Sequence, residues 1–156
     1  SLLADMNTKN CHLENAEADN YDEIKYLLEK CGLPNNDISV KDLYHYFVLK
    51  NEPEVIGTIG LELFHPHGLL RSLAIKEGYR KKGFGKRLVN RLESYAVELN
   101  IKKLYLLTTT AESFFSKLDY KKISREHAPN SIQNSEEFST ICPDSAVVMS
   151  KKLTEI

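Results

Sequence analysis

Apolar residues recur along this 156-residue chain with two periods, one helical and one of strand type. Between Asp22 and Cys31, Ile24, Leu27, Leu28 and Cys31 fall at i, i+3, i+4 and i+7, the spacing of one helix face, and Gly32 and Pro34 end the run. A second short helix is predicted from Val40 to about Tyr44, with Asp37 or Ser39 as its cap. Strand signals follow. Tyr44 to Leu49 and Glu54 to Phe64 are rich in β-branched, aromatic and aliphatic residues, and Asn51-Glu52-Pro53 between them reads as a hairpin turn. His65-Pro66-His67-Gly68 makes the next turn and Leu69 to Lys76 a third strand, so the three should form an antiparallel meander. From Phe84 the helical period returns at Phe84, Leu88, Leu92, Tyr95, Ala96 and Leu99, the strongest helix in the chain. Lys103 to Thr108 is a short apolar run that should return parallel to the third strand as a right-handed βαβ crossover. Ala111 to Leu118 and Ser131 to Thr140 read as helices, Tyr120 to Ser124 and Ala146 to Leu153 as strands. The predicted class is α+β with a mixed, central β-sheet and helices on its faces.

Length and composition narrow the picture. The chain can bury one core, and with 42% apolar and 28% charged residues it is neither disordered nor a disulfide scaffold. Residues 1–6 read as a vector remnant or flexible start, and residues 7–156 as a single domain. The three cysteines, Cys11, Cys31 and Cys142, have no metal-ligand spacing and fit free thiols in a reducing, cytoplasmic setting. His65 and His67 lack the further ligands a metal site needs, so no metal is expected. No apolar run is long enough for a membrane helix.

The net charge of −1 argues against nucleic acid as a partner, but it conceals an asymmetry. Six basic residues and no acid lie between Tyr79 and Arg91: Arg80, Lys81, Lys82, Lys86, Arg87 and Arg91. They leave 15 of the 21 basic residues to set against 22 acids elsewhere. Arg80-Lys81-Lys82-Gly83-Phe84-Gly85-Lys86 joins a predicted strand to the long helix. Two glycines let a ligand approach the backbone, the first-turn N–H groups lack intrahelical partners, and the helix dipole and cations favour an anion such as a pyrophosphate. A solvated basic helix end would carry the same residues; the strand-loop-helix context favours ligand binding. Walker A is excluded because Lys86 is followed by Arg87, and the dinucleotide fingerprint fits poorly because Leu88 stands where its third glycine would fall.

The remaining pattern, R-x-x-G-x-G between a strand and a long helix, resembles the acetyl-CoA loop of the GNAT superfamily of N-acetyltransferases. Leu69-Leu70-Arg71-Ser72-Leu73-Ala74-Ile75 is similar to that family's fourth strand, Leu104 to Leu107 to its fifth, and Phe114-Phe115-Ser116-Lys117-Leu118-Asp119-Tyr120 to its F-Y-x-x-x-G-F stretch. More narrowly, LLRSLAI, YLLTTTAESFF and EFSTICPDSAV resemble acetyltransferases of arsenic-resistance operons.

The resemblance implies a splayed pair of parallel strands holding the cofactor, acetyl-CoA, with the pantetheine arm on the backbone of Leu73, Ala74 and Ile75. The pyrophosphate would rest on the N–H groups of Lys81, Lys82, Gly83, Phe84, Gly85 and Lys86, with Arg80 screening its charge and with Phe114 and Phe115 completing the cofactor site. Gly83 and Gly85 should resist any Cβ. A neutral amine would attack the thioester directly, a backbone N–H at Leu73 stabilising the oxyanion. The partner implied is a small-molecule amine, an amino acid or an arsenical or phosphinate analogue, with no membrane and room for a homodimer. A sensor that binds acyl-CoA without catalysis is the alternative.

Two departures bear on the mechanism. The tyrosine that often protonates the leaving thiolate is Phe115 here, and the glycine of the same stretch is Asp119; Tyr120 should occupy a core position. Glu62, an acid within an otherwise apolar strand, is the candidate general base or else a solvent-facing residue of a period-2 strand. Arg71 could fork a substrate carboxylate, phosphinate or arsonate, or pair with Glu62, or do both. Ser72 beside it and Thr109 complete the expected substrate contacts, although a threonine of Thr108-Thr109-Thr110 could instead cap the next helix. Glu126 to Pro143 is read as a lid over the acceptor or a surface excursion.

Overall fold

The computed structural model describes residues 10–141 and 145–154; the six N-terminal residues, Cys142 and Pro143 lie outside the described residues. Seven strands are present: β1 (Cys11–Asn15), β2 (Tyr46–Asn51), β3 (Glu54–Phe64), β4 (His67–Ile75), β5 (Lys103–Thr108), β6 (Lys121–Ile123) and β7 (Val147–Lys152). They form one mixed sheet in the order β1-β2-β3-β4-β5-β7-β6. The helices are α1 (Tyr21–Lys30), α2 (Phe84–Glu98), α3 (Glu112–Ser116), α4 (Asn130–Gln133) and α5 (Glu136–Thr140), with 3-10 turns at Ala18–Asn20, Val40–His45 and Arg125–His127. Packing divides the chain into two units, Ser1–Gly60 with Ser72–Leu92, and Leu61–Arg71 with Glu93–Ile156.

In the first unit, Ile24, Leu27 and Leu28 of α1 are buried as their spacing predicts, in a cluster with Ile38, Leu43, Tyr46, Val48, Val55 and Ala74. Glu23 fastens the helix by accepting a hydrogen bond from the Val55 N–H at 2.9 Å. Of the two expected caps, Ser39 opens the 3-10 turn, and Asp42 accepts from its N–H at 2.7 Å. That turn consumes Tyr44 and His45, so β2 starts two residues later than predicted. The β2–β3 hairpin closes through Glu52-Pro53, while β1, running antiparallel to β2 from Cys11↔Asn51 to Asn15↔Phe47, has no counterpart in the sequence reading. Its residues, CHLEN, alternate only over Cys11 and Leu13, too short a run to mark a strand, and none is fully buried. Gly57 lies where a Cβ would come within 3.1 Å of Ile75, 3.2 Å of Leu88 and 3.3 Å of Leu49, which lets side chains of α2, β4 and β2 close over β3.

In the second unit β4 and β5 pair in parallel at His67↔Lys103, Gly68↔Leu104 and Leu69↔Tyr105, as the βαβ pattern predicts. The pairing stops there, although β4 runs on to Ile75 and β5 to Thr108. β5 then pairs antiparallel with β7 along its full length, and β7 with β6. Gly68 is required for close packing, since a Cβ would sit 2.9 Å from Leu61 and 3.0 Å from Leu104. The described part of the Glu126 to Pro143 segment corrects its expectation as a lid or excursion: Ala128, Ile132 and Phe138 are buried against Leu69, Tyr105 and Val148. One predicted helix there is two, because Ser135 breaks the run and caps α5 by accepting from the Phe138 N–H.

Tyr120 is buried and donates to Glu93 at 2.8 Å, and Lys151 donates to both oxygens of the same carboxylate at 3.0 and 3.1 Å. Burial and the Glu93 carboxylate push the Tyr120 hydroxyl far above its ordinary range, so it remains protonated. Among the described residues no helix is long and apolar enough to cross a membrane.

Just before Tyr120, Asp119 has φ 73°, the left-handed conformation that glycine adopts without a Cβ penalty. Asp119→Gly should therefore raise stability by about 0.5–1 kcal/mol, once the greater freedom of glycine in the unfolded chain is subtracted. Urea unfolding measures it; a lower midpoint at unchanged slope would contradict the assignment.

Candidate functional site

The anion-binding features expected from the sequence lie in the first unit. The chain leaves β4, turns through 76–83 and enters α2 at Phe84. Lys81 has φ 63° and Gly83 φ 83°, with Lys82 between them, a backbone alternation that turns successive N–H groups toward a common side. Lys81, Lys82 and Gly83 are exposed, and no heavy atom lies within 4 Å of where a Gly83 Cβ would stand. The first turn of α2 holds no acid, and its hydrogen bonding begins with the Arg87 N–H donating to Gly83 O at 3.2 Å. The N–H groups of Phe84, Gly85 and Lys86 precede that bond and point out along the helix axis. Gly85, by contrast, is the second residue of a regular helix, so its backbone does not require glycine as expected.

The six cations of the stripe do not act alike. Arg91 stacks over the Phe47 ring at 4.6 Å, and Arg87 lies over Phe84 at 5.9 Å. Arg80 donates from Nε to the carbonyl of Ile75 at 3.0 Å and from Nη2 to the Cys31 sulfur at 3.6 Å. It thereby ties the end of β4 to the end of α1. Lys81, Lys82 and Lys86 are exposed cations of the same segment.

In β4, Ala74 is buried while Leu73 and Ile75 are half-buried. Ser72 has φ 61°, an unusual value for a residue inside a strand. Beyond β4 the Lys76 N–H donates to Ile56 O at 2.8 Å. Left-handed Ser72 is a local break in the extended backbone of β4. Its hydroxyl shares a 2.8 Å hydrogen bond with Tyr46, a residue that sequence reasoning did not single out.

In the second unit the expected pair forms. Arg71 Nη1 lies 3.2 Å from Glu62 Oε1, with 5% of the arginine side chain and 36% of the glutamate side chain exposed. Glu62 is thus neither a free surface acid nor buried. Thr108 is the threonine engaged locally, accepting from the Ala111 N–H at 2.9 Å, whereas Thr109 is exposed. Phe114 is half-buried; Phe115 is buried, edge-on to Phe114 at 5.1 Å and to Tyr120 at 5.4 Å. Among the described residues His12, Glu14 and Glu52 hold their ligand atoms within 4.8 Å of one another, with Lys50 Nζ 2.7 Å from Glu14.

A strand, an anion-receptive turn and a helix in the first unit, and in the second a parallel pair that ends after three residues, now stand beside the results of comparison. The model of the Acetyltransferase (GNAT) family matches residues 8–120. This chain belongs to that family. A curated GNAT-type relative, an uncharacterised N-acetyltransferase of Chlorobaculum tepidum, is 30% identical over 94 residues, 60% of each chain. Among solved structures, the N-acetylglutamate synthase of Neisseria gonorrhoeae complexed with coenzyme A and N-acetyl-glutamate matches with a TM-score of 0.81 and 17% identity, over 93% of this chain and 35% of that one. A Mycobacterium tuberculosis protein in complex with CoA matches at 0.76 and 17%, over 92% and 99%. These likenesses establish the fold. The chain spans 60% of the curated relative and about a third of the gonococcal enzyme.

The GNAT departures have structural counterparts. Phe115 stands where a tyrosine is common, and its ring is enclosed by aromatic neighbours. Asp119 stands where glycine is common and keeps the left-handed backbone that glycine would supply.

The Arg71–Glu62 contact yields a stability test. Glu62→Ala should destabilise the fold by about 1–3 kcal/mol, less than for a fully buried pair because water reaches the glutamate side, while Arg71→Met should cost under about 1 kcal/mol. Chemical denaturation of both variants measures the difference; equal losses would mean that the arginine is not held by this carboxylate.

Proposed function

We propose that this chain transfers an acetyl group from acetyl-CoA to the amine of a small, amino-acid-like acceptor carrying an anionic group. The observation that carries the reading is the turn before α2, with left-handed Lys81 and Gly83, exposed lysines and no acid at a 15-residue helix N-terminus. Its N–H groups and cations suit a pyrophosphate, which carries two of the negative charges of CoA. When bound, acetyl-CoA supplies an activated acyl thioester.

The residues of the chain divide the remaining work. The N–H groups of Lys81 to Lys86 hold the pyrophosphate, and Lys81, Lys82 and Lys86 neutralise it. The end of β4, Leu73 to Ile75, offers backbone groups to the pantetheine arm, and the Leu73 N–H stabilises negative charge on the acyl oxygen. Arg71 presents a guanidinium for a carboxylate, phosphinate or arsonate, and Glu62 orients it. The match to an N-acetylglutamate synthase complexed with N-acetyl-glutamate supports an acidic amino acid as the class of acceptor. The likeness of LLRSLAI and EFSTICPDSAV to arsenic-resistance acetyltransferases supports an arsenical or phosphinate amino acid within it. Phe115 has no proton to give, so the thiolate leaves unassisted by that position; a simple thiol pKa of about 8.5 makes this feasible near neutrality.

Free-thiol titration over a panel of amino acids, arsenical amino acids and phosphinothricin-like amines tests the activity. Release dependent on an anionic amine is expected; saturable CoA binding with no release for any acceptor would favour an acyl-CoA sensor. Gly85→Glu should abolish CoA binding in calorimetry without unfolding the chain, since a side chain and negative charge would enter the pyrophosphate turn, and unchanged affinity would remove the loop from the site. Arg71→Ala should raise KM for anionic acceptors at least tenfold and leave neutral amines within about twofold, given the strength of charge-assisted pairs. Equal losses for both classes would assign Arg71 a structural role.

A further inference from the structure

Tyr46 lies outside every feature considered in the proposed reaction, yet it touches the one left-handed residue of β4. In the β2–β3 register Tyr46 stands directly opposite Gly60. A Cβ on Gly60 would fall inside the Tyr46 ring, so the absence of a side chain there is what lets the ring lie flat against β3. From that position the phenol reaches across to β4 and shares a 2.8 Å hydrogen bond with Ser72 Oγ, with both residues almost wholly buried, at 2% and 6% exposed. Gly60, Tyr46 and Ser72 thus form a stack running from β3 through β2 to the left-handed residue of β4.

We propose that Tyr46 is a positioning residue for acetyl transfer, its hydroxyl clamping Ser72 in the left-handed conformation that aims the Leu73 N–H. The inference rests on the function proposed above and adds a residue to it. A serine gains nothing intrinsic from φ 61°; the surrounding structure must hold it there. The peptide plane between Ser72 and Leu73 carries the Leu73 N–H. If Ser72 relaxed to an extended conformation, that plane would rotate and the donor would no longer point where the charge on the acyl oxygen develops. A fixed donor matters more to the transition state than to the bound ground state, so the clamp should act on turnover more than on affinity.

The experiment uses steady-state thiol release with acetyl-CoA and the best acceptor, together with calorimetric CoA binding. Tyr46→Phe removes one oxygen; kcat should fall at least tenfold, with KM for the acceptor and Kd for CoA changing less than twofold. Ser72→Gly added to Tyr46→Phe should raise kcat at least fivefold above the single variant, because glycine holds a positive φ unaided. A purely structural Tyr46 would not produce this split or this rescue, and a proton relay through the two hydroxyls predicts a double variant no faster than the single one. A Tyr46→Phe kcat within twofold of wild type, or a double variant without recovery, overturns the inference. Should Tyr46→Phe fail to fold, Ser72→Gly against Ser72→Ala carries the same question: the glycine variant should turn over at least tenfold faster, and equal rates overturn the clamp. A wild-type chain that releases no thiol overturns the proposed function and this inference together, whereas an active wild type with an unaltered Tyr46→Phe overturns the inference alone.

Discussion

The left-handed backbone of Ser72 is the constraint on which the end of β4 depends. That conformation costs a non-glycine residue roughly 1–2 kcal/mol, so the surrounding packing must hold it. Ahead of it Arg71 is buried and paired with Glu62; after it Leu73 and Ile75 are half-buried around a buried Ala74. On the proposed function, the strand passes there from side-chain recognition at Arg71 to backbone recognition in the residues that follow. Two further features serve it: the missing Cβ of Gly60 and the Tyr46 hydroxyl.

Charge is distributed with a similar economy. A near-neutral chain seemed at first to have no place for a polyanion, but its cations are concentrated in one turn and one helix. Even there the structure divides them. Arg87 and Arg91 lie against aromatic faces and Arg80 donates to the Ile75 carbonyl, while Lys81, Lys82 and Lys86 are exposed along the turn and the start of α2. Coulomb attraction among exposed groups decays over a Debye length of about 8 Å at physiological salt, so this set acts on a compact anion seated at the turn and not along an extended one. The backbone supplies the geometry and the lysines supply the field.

Most of the fold was legible because its signals are periodic. The i, i+3, i+4 face of α1, the long amphipathic face of α2, the bounds of β3 and β5 and the parallel crossover all follow from spacing and turn residues. β1 was not legible, since an edge strand packed on one neighbour needs no apolar alternation. The packing of Ala128, Ile132 and Phe138 was hidden in a polar segment where three buried residues are too sparse to show a period. At the site, the anion turn could be read from glycines and cations, and the Arg71–Glu62 pair from an acid and a base in apolar strands. Tyr46 could not, because its signal is a pairing: a tyrosine set opposite a glycine and bonded to a serine of another strand, which requires the register before it has meaning.

The two departures within Phe114 to Tyr120 show which demands on that stretch are structural and which chemical. Asp119 preserves a backbone conformation, so the turn into β6 survives the loss of glycine. Phe115 preserves a packed ring against Tyr120 but gives up the hydroxyl. On the proposed function, a positioned general acid contributes typically about 10²–10⁴-fold, and most where the leaving group is a poor one. A thiolate is a good leaving group near neutral pH, so the lower end of that range applies. Removing one oxyanion donor costs about 10²–10³-fold in comparable acyl transfers. On that function the contribution missing at Phe115 is the one that thiolate chemistry needs least, and the demand on a backbone donor at Leu73 rises accordingly. That makes the conformation of Ser72, more than any titratable side chain, the feature to which the rate should be most sensitive.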